Sequence, residues 1–480
     1  MSLSKKTTTG VIWNFSEQLG RRAISLLITL LLAYFLAPED FGLLAMMALF
    51  LALATNMMDS GVKEALVRLP DVSDSDLSSA FFLNLSLGFI AYIALCFAAP
   101  WIADFYHEPR LTALLQVSGL VVVINAFQVI QIVIMTRNLD FKSQVKITLP
   151  ASMVSGLIAI AMGYLGLGVW ALIGQMISSS VLITIFFWNK STWRPKFSVN
   201  YLFFLEILNF GYKLFISGVL SILAKNIFSA VIAKLYSTTT AGLYYLSERM
   251  LDVLMGQLVY AIQNVTYPVL SSIQDDTSRL KLAYRRILGV SVFIIFPTVL
   301  VTAALAEPLF KLIFSEKWWA ASSYFQIMCL GFVFYPLHAI NLNILKVRGR
   351  SDLFLKLEVI KVSISISILA ITLNLGVEAI LLGQVLSSFI AYFCNSYYSI
   401  QLINYSLVEQ FLDFAPSFIL AVLIALVIYF FQSLLHWHYL IEVILFATLG
   451  AVSYLVFAYY LKLNAFSDLK AFILTSIKRE

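Results

Sequence analysis

The sequence predicts an all-helical protein that crosses a membrane many times. Of its 480 residues, 61% are hydrophobic and only 12% are charged, about half the charged fraction of an ordinary soluble protein. Apolar runs of roughly 20 residues follow one another along the chain, and each is long enough to cross a bilayer as a helix. They must be helices because lipid offers no hydrogen-bond partner to an unpaired backbone group. Similar segments recur in the two halves of the chain, which predicts a duplicated bundle.

The apolar runs predict about fourteen transmembrane helices. A very short gap at Leu167–Gly168 marks one tight hairpin. The predicted spans cover residues 11–37, 41–60, 77–103, 111–136, 147–166, 168–188, 207–235, 241–263, 287–312, 321–345, 357–376, 378–402, 414–433 and 440–461. We expect a first six-helix repeat at residues 1–190, a cytoplasmic linker at 191–206, a second six-helix repeat at 207–402, and an extra helix pair with a cytoplasmic tail at 403–480.

Three pairs of segments indicate that the halves are repeats. LGVWALIGQMISSS starts at Leu167 and LGVEAILLGQVLSSF at Leu375, each at the hairpin between the last two spans of a half. AYFLAPEDFG, from Ala33, aligns without gaps to AKLYSTTTAG, from Ala233, and RNLDFK resembles GRSDLFLK in the matching inner loop. Because six spans are an even number, the halves have parallel topology, related by a pseudo-two-fold axis along the membrane normal. This architecture is typical of alternating-access transporters with a central cleft.

Lysine and arginine are distributed unequally between the two sides of the predicted bundle. With the N-terminus in the cytoplasm, most basic residues outside the spans fall on the inner side, as the positive-inside rule requires. The outer side holds only Arg110, Lys311, Lys317 and, at a helix end, Lys234. We therefore expect both termini in the cytoplasm, and the net charge of +6 reflects topology and not nucleic-acid binding.

Ionisable residues interrupt several of the apolar runs. At mid-bilayer each costs about 2.5–3.5 kcal/mol on insertion scales, so such residues usually face a protein interior or an aqueous cavity. Span one carries Glu17 and Arg21, four residues apart on one helical face, followed by Arg22. Lys225 is near the centre of span seven, whereas Lys213 is closer to an end and can extend toward the interface.

Span eight adds a second cluster in the segment SERMLDVL. Arg249 and Asp252 are three residues apart, which suits an ion pair, whereas the spacing assigns no local partner to Glu248. Arginine forks and lysine charges are the usual ligands of phosphate. We therefore predict an anionic head-group site built from Arg21, Arg22, Lys213, Lys225 and Arg249. Charge pairing or ion coupling is predicted for Glu17, Glu248 and Asp252. A purely structural role for the pairs Glu17–Arg21 and Arg249–Asp252 remains the alternative.

The sequence contains no pattern typical of an enzyme or of a bound cofactor. It lacks a G-x-x-x-x-G-K-[ST] phosphate loop and any nucleophile–histidine–acid set with plausible spacing. Cys96, Cys329 and Cys394 lie in apolar runs without metal-ligand spacing. His436 and His438 are interpreted as part of an interfacial aromatic cluster and not as a metal site. We expect a non-enzymatic protein without cofactor or metal, and the sequence does not choose between H⁺ and Na⁺ as a coupling ion.

Several motifs together resemble a known family. AYFLAPEDFGLLAM follows span one, GLYYLSERMLDVL, TYPVLSSIQDD and RLKLAYRR cover span eight and the loop after it, and RNLDFK follows span four. These stretches resemble the polysaccharide flippase branch of the multidrug/oligosaccharidyl-lipid/polysaccharide (MOP) exporter superfamily, and most closely its Wzx-type lipopolysaccharide and colanic-acid exporters. The likeness covers essentially the whole chain. It departs at Tyr34, where the family often has a basic residue, although Lys234 is basic at the equivalent position of the second half.

The resemblance implies a flippase that moves an undecaprenyl-diphosphate-linked oligosaccharide across a bacterial inner membrane for lipopolysaccharide, capsule or exopolysaccharide biosynthesis. It implies a cationic cavity for the diphosphate–sugar head, while the polyprenyl tail stays in lipid. The implied partners are the lipid-linked substrate, membrane lipids and the polysaccharide polymerase and assembly proteins, with no nucleic acid.

Two rival classes of function stay open. A cation-coupled multidrug exporter of the same superfamily would depend on intramembrane carboxylates, and the excess of lysine and arginine in spans one and seven argues against it. A non-transporting scaffold for polysaccharide assembly would tolerate neutral replacement of the buried charges.

Overall fold

The computed structural model describes most of the chain, in five stretches: residues 3–69, 71–197, 200–348, 350–434 and 437–477. Nearly all of these residues are helical, and none of them lies in a β-strand. Contacts divide the chain into two compact units, Met1–Tyr245 and Leu246–Glu480. The boundary therefore falls inside one long helix.

The first unit contains ten helices among its described residues and the start of an eleventh. Their bounds are α1 (Leu3–Phe35), α2 (Pro38–Asp59), α3 (Val62–Arg68), α4 (Asp74–Tyr106), α5 (Arg110–Ser118), α6 (Leu120–Ala126), α7 (Val129–Arg137), α8 (Phe141–Tyr164), α9 (Val169–Lys190), α10 (Tyr201–Leu235) and α11 (Thr238–Ser271). Helix α8 packs between α1 and α9, and α2 packs against α4 and α10. Helices α5 to α7 form one interrupted span, Arg110–Arg137.

Local sequence signals explain where several of these helices begin. The Asp76 backbone N–H donates to Ser73 Oγ at 3.2 Å, and the Ser73 N–H donates to the Asp76 carboxylate at 3.0 Å. This reciprocal capping box starts α4. The Ser143 N–H donates to the Asp140 carboxylate at 3.1 Å, which caps α8. Pro38 is the first residue of α2, a position where its missing N–H costs nothing.

The second unit contains the rest of α11, nine more α-helices and a 3₁₀ turn at Glu316–Trp318 among its described residues. Their bounds are α12 (Thr277–Ala304), α13 (Ala306–Ile313), α14 (Ala321–Phe332), α15 (Tyr335–Val347), α16 (Ser351–Thr372), α17 (Val377–Ile403), α18 (Leu407–Leu434), α19 (Tyr439–Tyr460) and α20 (Asn464–Ile477). Helix α12 is central and packs against α14, α15, α18, α19 and α20. Its side chains Tyr284 and Phe296 are almost completely buried, so this helix forms the core of the unit.

Twelve helical segments among the described residues are long and apolar enough to cross a membrane. The predicted all-helical polytopic fold is therefore confirmed, and the chain is a multi-pass membrane protein. The predicted number of fourteen spans is not confirmed, because the segments predicted over α11 and α16 are not among the twelve. These helices have 34 and 22 residues, so length does not exclude them. Both helices carry several ionisable residues, such as Glu248 and Arg249 in α11.

The boundary between the compact units differs from the predicted linker at residues 191–206. Helix α10, the first helix of the predicted second repeat, packs against α2 and α4 of the first unit. The compact units are defined by contacts, whereas the repeats are defined by similar segments along the sequence. The two divisions therefore need not coincide. The repeat boundaries therefore stay a prediction.

A reciprocal contact joins the two segments that the repeat alignment pairs. A Cβ added to Gly42 would overlap the carbonyl oxygen of Thr238, and a Cβ added to Gly242 would overlap the carbonyl oxygen of Pro38. Positions 38 and 238 are equivalent in the alignment, as are positions 42 and 242. Each glycine therefore packs on the residue that lies four positions before the other glycine. A two-fold axis relates equivalent residues in this way. Glycine is required at both positions because the opposing atoms are backbone.

Candidate functional site

Glu17 is held against α8 by a hydrogen bond that crosses between two helices. The residue is buried, and Thr148 donates from Oγ1 to its Oε1 at 2.9 Å. Arg21 Nη1 lies 3.7 Å from the same oxygen, so the ion pair expected from the four-residue spacing forms. A buried carboxylate keeps its charge at tolerable cost only when it is paired and hydrogen-bonded. Glu17 is therefore fixed by both its own helix and its neighbour.

Small residues bring α1 and α8 close enough for this hydrogen bond. A Cβ on Gly156 of α8 would lie 2.6 Å from Ile28 Cγ1, and a Cβ on Gly20 of α1 would lie 3.1 Å from Leu149 Cδ2. Close approach of this kind is how small residues pack transmembrane helices.

The two arginines that follow Glu17 differ in exposure. The Arg21 side chain is 52% exposed although it pairs with Glu17. Arg22 is half-buried and has interactions of its own. The structure thus places an accessible guanidinium next to a carboxylate on α1.

Lys225 is an exposed cation in the middle of an apolar helix. It lies between the ends of the span Leu214–Leu235, and its side chain is exposed, without a hydrogen bond or ion pair to any side chain that the structure describes. Helix α10 packs on α2 through Gly218, and Asn56 Nδ2 donates to the Phe215 carbonyl oxygen at 3.1 Å. The side chain of Lys213 lies outside the described residues.

Lys234, the basic counterpart of Tyr34, contacts the C-terminal end of α4. Its Nζ donates to the carbonyl oxygen of Phe105 at the end of α4 and lies 3.2 Å from His107 Nε2. It also lies 4.8 Å from the centre of the Phe105 ring. Cations stabilise helix C-termini because the last carbonyl groups carry partial negative charge. Tyr34 itself is 70% exposed.

The remaining predicted residues lie on α11 in the second unit. Glu248 and Arg249 are half-buried and Asp252 is exposed. Each has interactions with other groups, and Asp252 acts electrostatically on Tyr335 at the start of α15. The specific pair Arg249–Asp252 stays a prediction. The predicted charges therefore form two groups, one on α1 and α10 of the first unit and one on α11 of the second.

A buried set of polar side chains, which the sequence analysis did not predict, connects four helices of the second unit. Tyr284 of α12 donates to Asn341 Oδ1 of α15 at 2.6 Å, and Ser399 of α17 donates to the same oxygen. Asn341 Nδ2 donates to Ser396 Oγ at 3.4 Å, and Ser396 donates to Gln410 Oε1 of α18 at 3.1 Å. We call these five residues the polar network. Satisfied buried networks of this kind fix one arrangement of helices.

Charged side chains continue this connection at the start of α18. Arg285 binds the Asp413 carboxylate through two hydrogen bonds of 2.7 and 2.6 Å, and Tyr405 donates to the same carboxylate at 2.6 Å. Bidentate arginine–carboxylate pairs are the strong members of their class. Burial raises the pKa of the Tyr405 phenol, and its hydrogen bond to Asp413 raises that pKa further. The phenol therefore stays protonated and remains a donor.

The fold and these sites define a class of protein, a polytopic membrane protein with ionisable groups inside apolar helices. The chain matches the polysaccharide biosynthesis protein family over residues 31–323, and it belongs to that family. The predicted resemblance to a polysaccharide family is confirmed at this level.

Individual relatives agree with this assignment. The chain is 24% identical over 404 residues to the lipopolysaccharide biosynthesis protein WzxC of Escherichia coli (strain K12), covering 82% of this chain and 81% of WzxC. It is 20% identical over 360 residues to the teichuronic acid biosynthesis protein TuaB of Bacillus subtilis (strain 168), covering 73% of each.

Solved structures share the fold. The lipid II flippase MurJ in an inward closed conformation superposes with a TM-score of 0.74 at 16% identity, over 95% of this chain and 98% of MurJ. An inward-facing multidrug resistance transporter of the MATE family superposes with a TM-score of 0.61 at 16% identity, over 82% of this chain and 94% of that transporter.

Proposed function

We propose that the chain is a flippase that carries a lipid-linked oligosaccharide from the inner to the outer leaflet of a bacterial inner membrane by alternating access, for surface polysaccharide biosynthesis. The observation that carries the proposal is Lys225, an exposed ammonium group in the middle of an apolar span of a polysaccharide biosynthesis protein. A diphosphate-linked sugar is anionic and needs such a cation inside the membrane. A cationic drug would be repelled by it.

The substrate site is proposed to use the cations on α1, α10 and α11. In this assignment Arg21, Arg22, Lys213, Lys225 and Arg249 bind the undecaprenyl-diphosphate head, and Glu17, Glu248 and Asp252 pair with them or couple an ion. Relatives named for lipopolysaccharide and teichuronic acid biosynthesis support a polysaccharide precursor as the cargo. The same proposal places both termini in the cytoplasm, assigns no catalytic step to the chain, and makes polymerase and assembly proteins its partners.

The proposal is tested by deleting the gene and analysing the lipid-linked intermediates of the cells. A flippase deletion should accumulate a complete repeat unit on the cytoplasmic leaflet, and the wild-type gene should restore surface polysaccharide. Normal surface polysaccharide in the deletion strain, without an accumulated intermediate, would contradict the proposed function.

The head-group assignment is tested in the same strain with Lys225→Gln and Arg22→Gln. Each should lower surface polysaccharide at normal protein abundance. The matched control is Lys190→Gln, which replaces an exposed lysine at the end of α9. If either site variant exports as well as the control, that residue does not belong to the head-group site.

A further inference from the structure

His338 of α15 lies in a membrane span of the second unit with both ring nitrogens engaged. The residue is half-buried, in the span Ala321–Leu345. Its Nε2 lies 3.1 Å from Ser388 Oγ of α17, and its Nδ1 lies 3.0 Å from Asn395 Nδ2 of the same helix.

These partners fix the protonation state of the ring. The Ser388 hydroxyl donates its hydrogen to the Gly331 carbonyl oxygen at 3.1 Å, so Ser388 Oγ accepts from His338 Nε2–H. An amide nitrogen can only donate, so Asn395 Nδ2 donates to His338 Nδ1, which carries no hydrogen. The ring is therefore neutral, with its proton on Nε2.

The amide of Asn395 is only half satisfied in this arrangement. Asn395 is 1% exposed, and its Oδ1 has no hydrogen-bond partner among the described residues. An unsatisfied buried acceptor costs about 1–3 kcal/mol. Rotating the amide by half a turn would place Oδ1 opposite His338 Nδ1. That orientation is favourable only when Nδ1 carries a hydrogen to donate.

We propose that His338 and Asn395 form a proton-binding site. One proton from water adds to Nδ1 of His338 and makes an imidazolium ion, while Nε2–H stays bonded to Ser388. The Asn395 amide rotates so that Oδ1 accepts from the new Nδ1–H. No other bond forms or breaks, the site gains one positive charge, and loss of the proton to water reverses the change. The orphaned oxygen of the neutral state thus gains its partner in the protonated state.

Burial of the ring and the charge of Lys361 on α16 both oppose an added positive charge on His338. The lysine is itself paired, because its Nζ lies 2.5 Å from Glu358 Oε1. Both effects favour release of the proton, which a cyclic transporter requires.

The other titratable groups near α15 already have partners. Tyr284 of α12 donates to Asn341 in the polar network, and Tyr392 of α17 donates to Gln410 at 3.3 Å. Asp252 of α11 acts on Tyr335, three residues before His338. His338 differs from these groups, because the amide of its partner Asn395 can turn when the ring is protonated.

Proton binding is tested on the full chain in lipid nanodiscs, with ¹⁵N-labelled histidine and nuclear magnetic resonance. The chain has 4 histidines, and His338→Gln identifies the signal. As the pH is lowered from about 9 to about 3, the His338 signal should change from the neutral Nε2–H form to imidazolium. Asn395→Asp should raise the midpoint by about one pH unit or more, because a carboxylate favours the charged ring. The matched control is Asn226→Asp on α10, which should leave the midpoint unchanged.

A neutral ring over the whole pH range in the wild type would overturn the site, whatever Asn395→Asp shows. The His338→Gln variant serves only to assign the signal, so a destabilised Asn395→Asp variant cannot decide the result. The wild-type measurement needs no transported substrate, so it stands or falls separately from the proposed function.

Use of this proton as the coupling ion rests on the proposed function and needs cells. In the deletion strain, wild-type complementation tests the flippase itself. His338→Gln should then lower surface polysaccharide at least about tenfold at normal abundance, a loss equivalent to about 1.4 kcal/mol, whereas His438→Asn in the outer hairpin should not. Full export by His338→Gln, where the wild type complements, would overturn the coupling role and leave the flippase assignment intact.

Discussion

Replacing Gly242 by alanine should weaken the reciprocal contact between the start of α2 and the start of α11. The new Cβ would overlap the Pro38 carbonyl oxygen and lie 2.6 Å from the Pro38 carbonyl carbon and 3.0 Å from the Gly42 nitrogen. All three are backbone atoms, so no side-chain rotation relieves the overlap. Overpacking of this kind costs about 1–3 kcal/mol, which lowers the equilibrium constant for forming the contact roughly 5- to 150-fold.

The contact can be followed by crosslinking across it. Thr239 Oγ1 donates to Glu39 Oε1 at 3.2 Å, so cysteines at these equivalent positions, in a chain without the three native cysteines, should react with a short bifunctional thiol reagent. Gly242→Ala should lower the yield about fivefold or more. Gly289→Ala is the control, because its Cβ would meet its nearest atom at 3.8 Å. Equal yields in the two variants would refute the steric reasoning.

Three further predictions concern thermal stability in nanodiscs. Thr148→Val removes the donor to a buried carboxylate and should destabilise the fold by about 1.5–3 kcal/mol, whereas Thr29→Val, whose hydroxyl bonds only to its own helix, should not. Asn341→Leu strands two buried hydroxyls and should cost about 1–3 kcal/mol, more than Asn226→Leu, whose amide also bonds only to its own helix. The raised pKa of Tyr405 means that the folded state holds this proton more tightly than the unfolded state. The stability that Tyr405 contributes through this proton is therefore complete below about pH 10 and is lost as the pH rises above that value. Tyr405→Phe should reduce the fall in melting temperature from pH 8 to pH 10.5.

Each of these predictions has a clear contrary result. Matched melting temperatures for Thr148→Val and Thr29→Val would remove the interhelical role of the hydroxyl. An Asn341→Leu variant as stable as Asn226→Leu would mean that the polar network contributes no net stability. An unchanged alkaline loss of stability in Tyr405→Phe would place the responsible group elsewhere.

The parts of the structure that follow from sequence are those governed by short-range rules. Apolar runs long enough to cross a bilayer become helices because no other backbone arrangement satisfies its hydrogen bonds there. The Glu17–Arg21 pair forms because residues four apart share a helical face. The sequence alignment pairs Gly42 with Gly242, and the structure brings the segments around them into reciprocal contact.

The parts that do not follow from sequence depend on which helices become neighbours. Thr148 donates to Glu17 across 131 residues of chain, and nothing in either local segment selects the other. Asn341 and Ser396 lie in apolar runs as uncharged polar residues, which an inspection of charges passes over. Such residues are a usable signal, since a polar group inside a span needs a partner there. Helices α11 and α16 show the converse, because they are long helices that carry ionisable residues and are not among the twelve apolar segments.

The reciprocal glycine contact also bears on how such a chain arose. When two identical chains meet across a two-fold axis, residue i of one chain contacts residue j of the other, and residue j contacts residue i. Gly42 and Gly242 make contacts of this kind. The duplication predicted from the sequence would give this contact its origin in a homodimer of half-length chains. In the present chain the contact ties the two positions to each other, since enlarging either glycine damages the surface that both share.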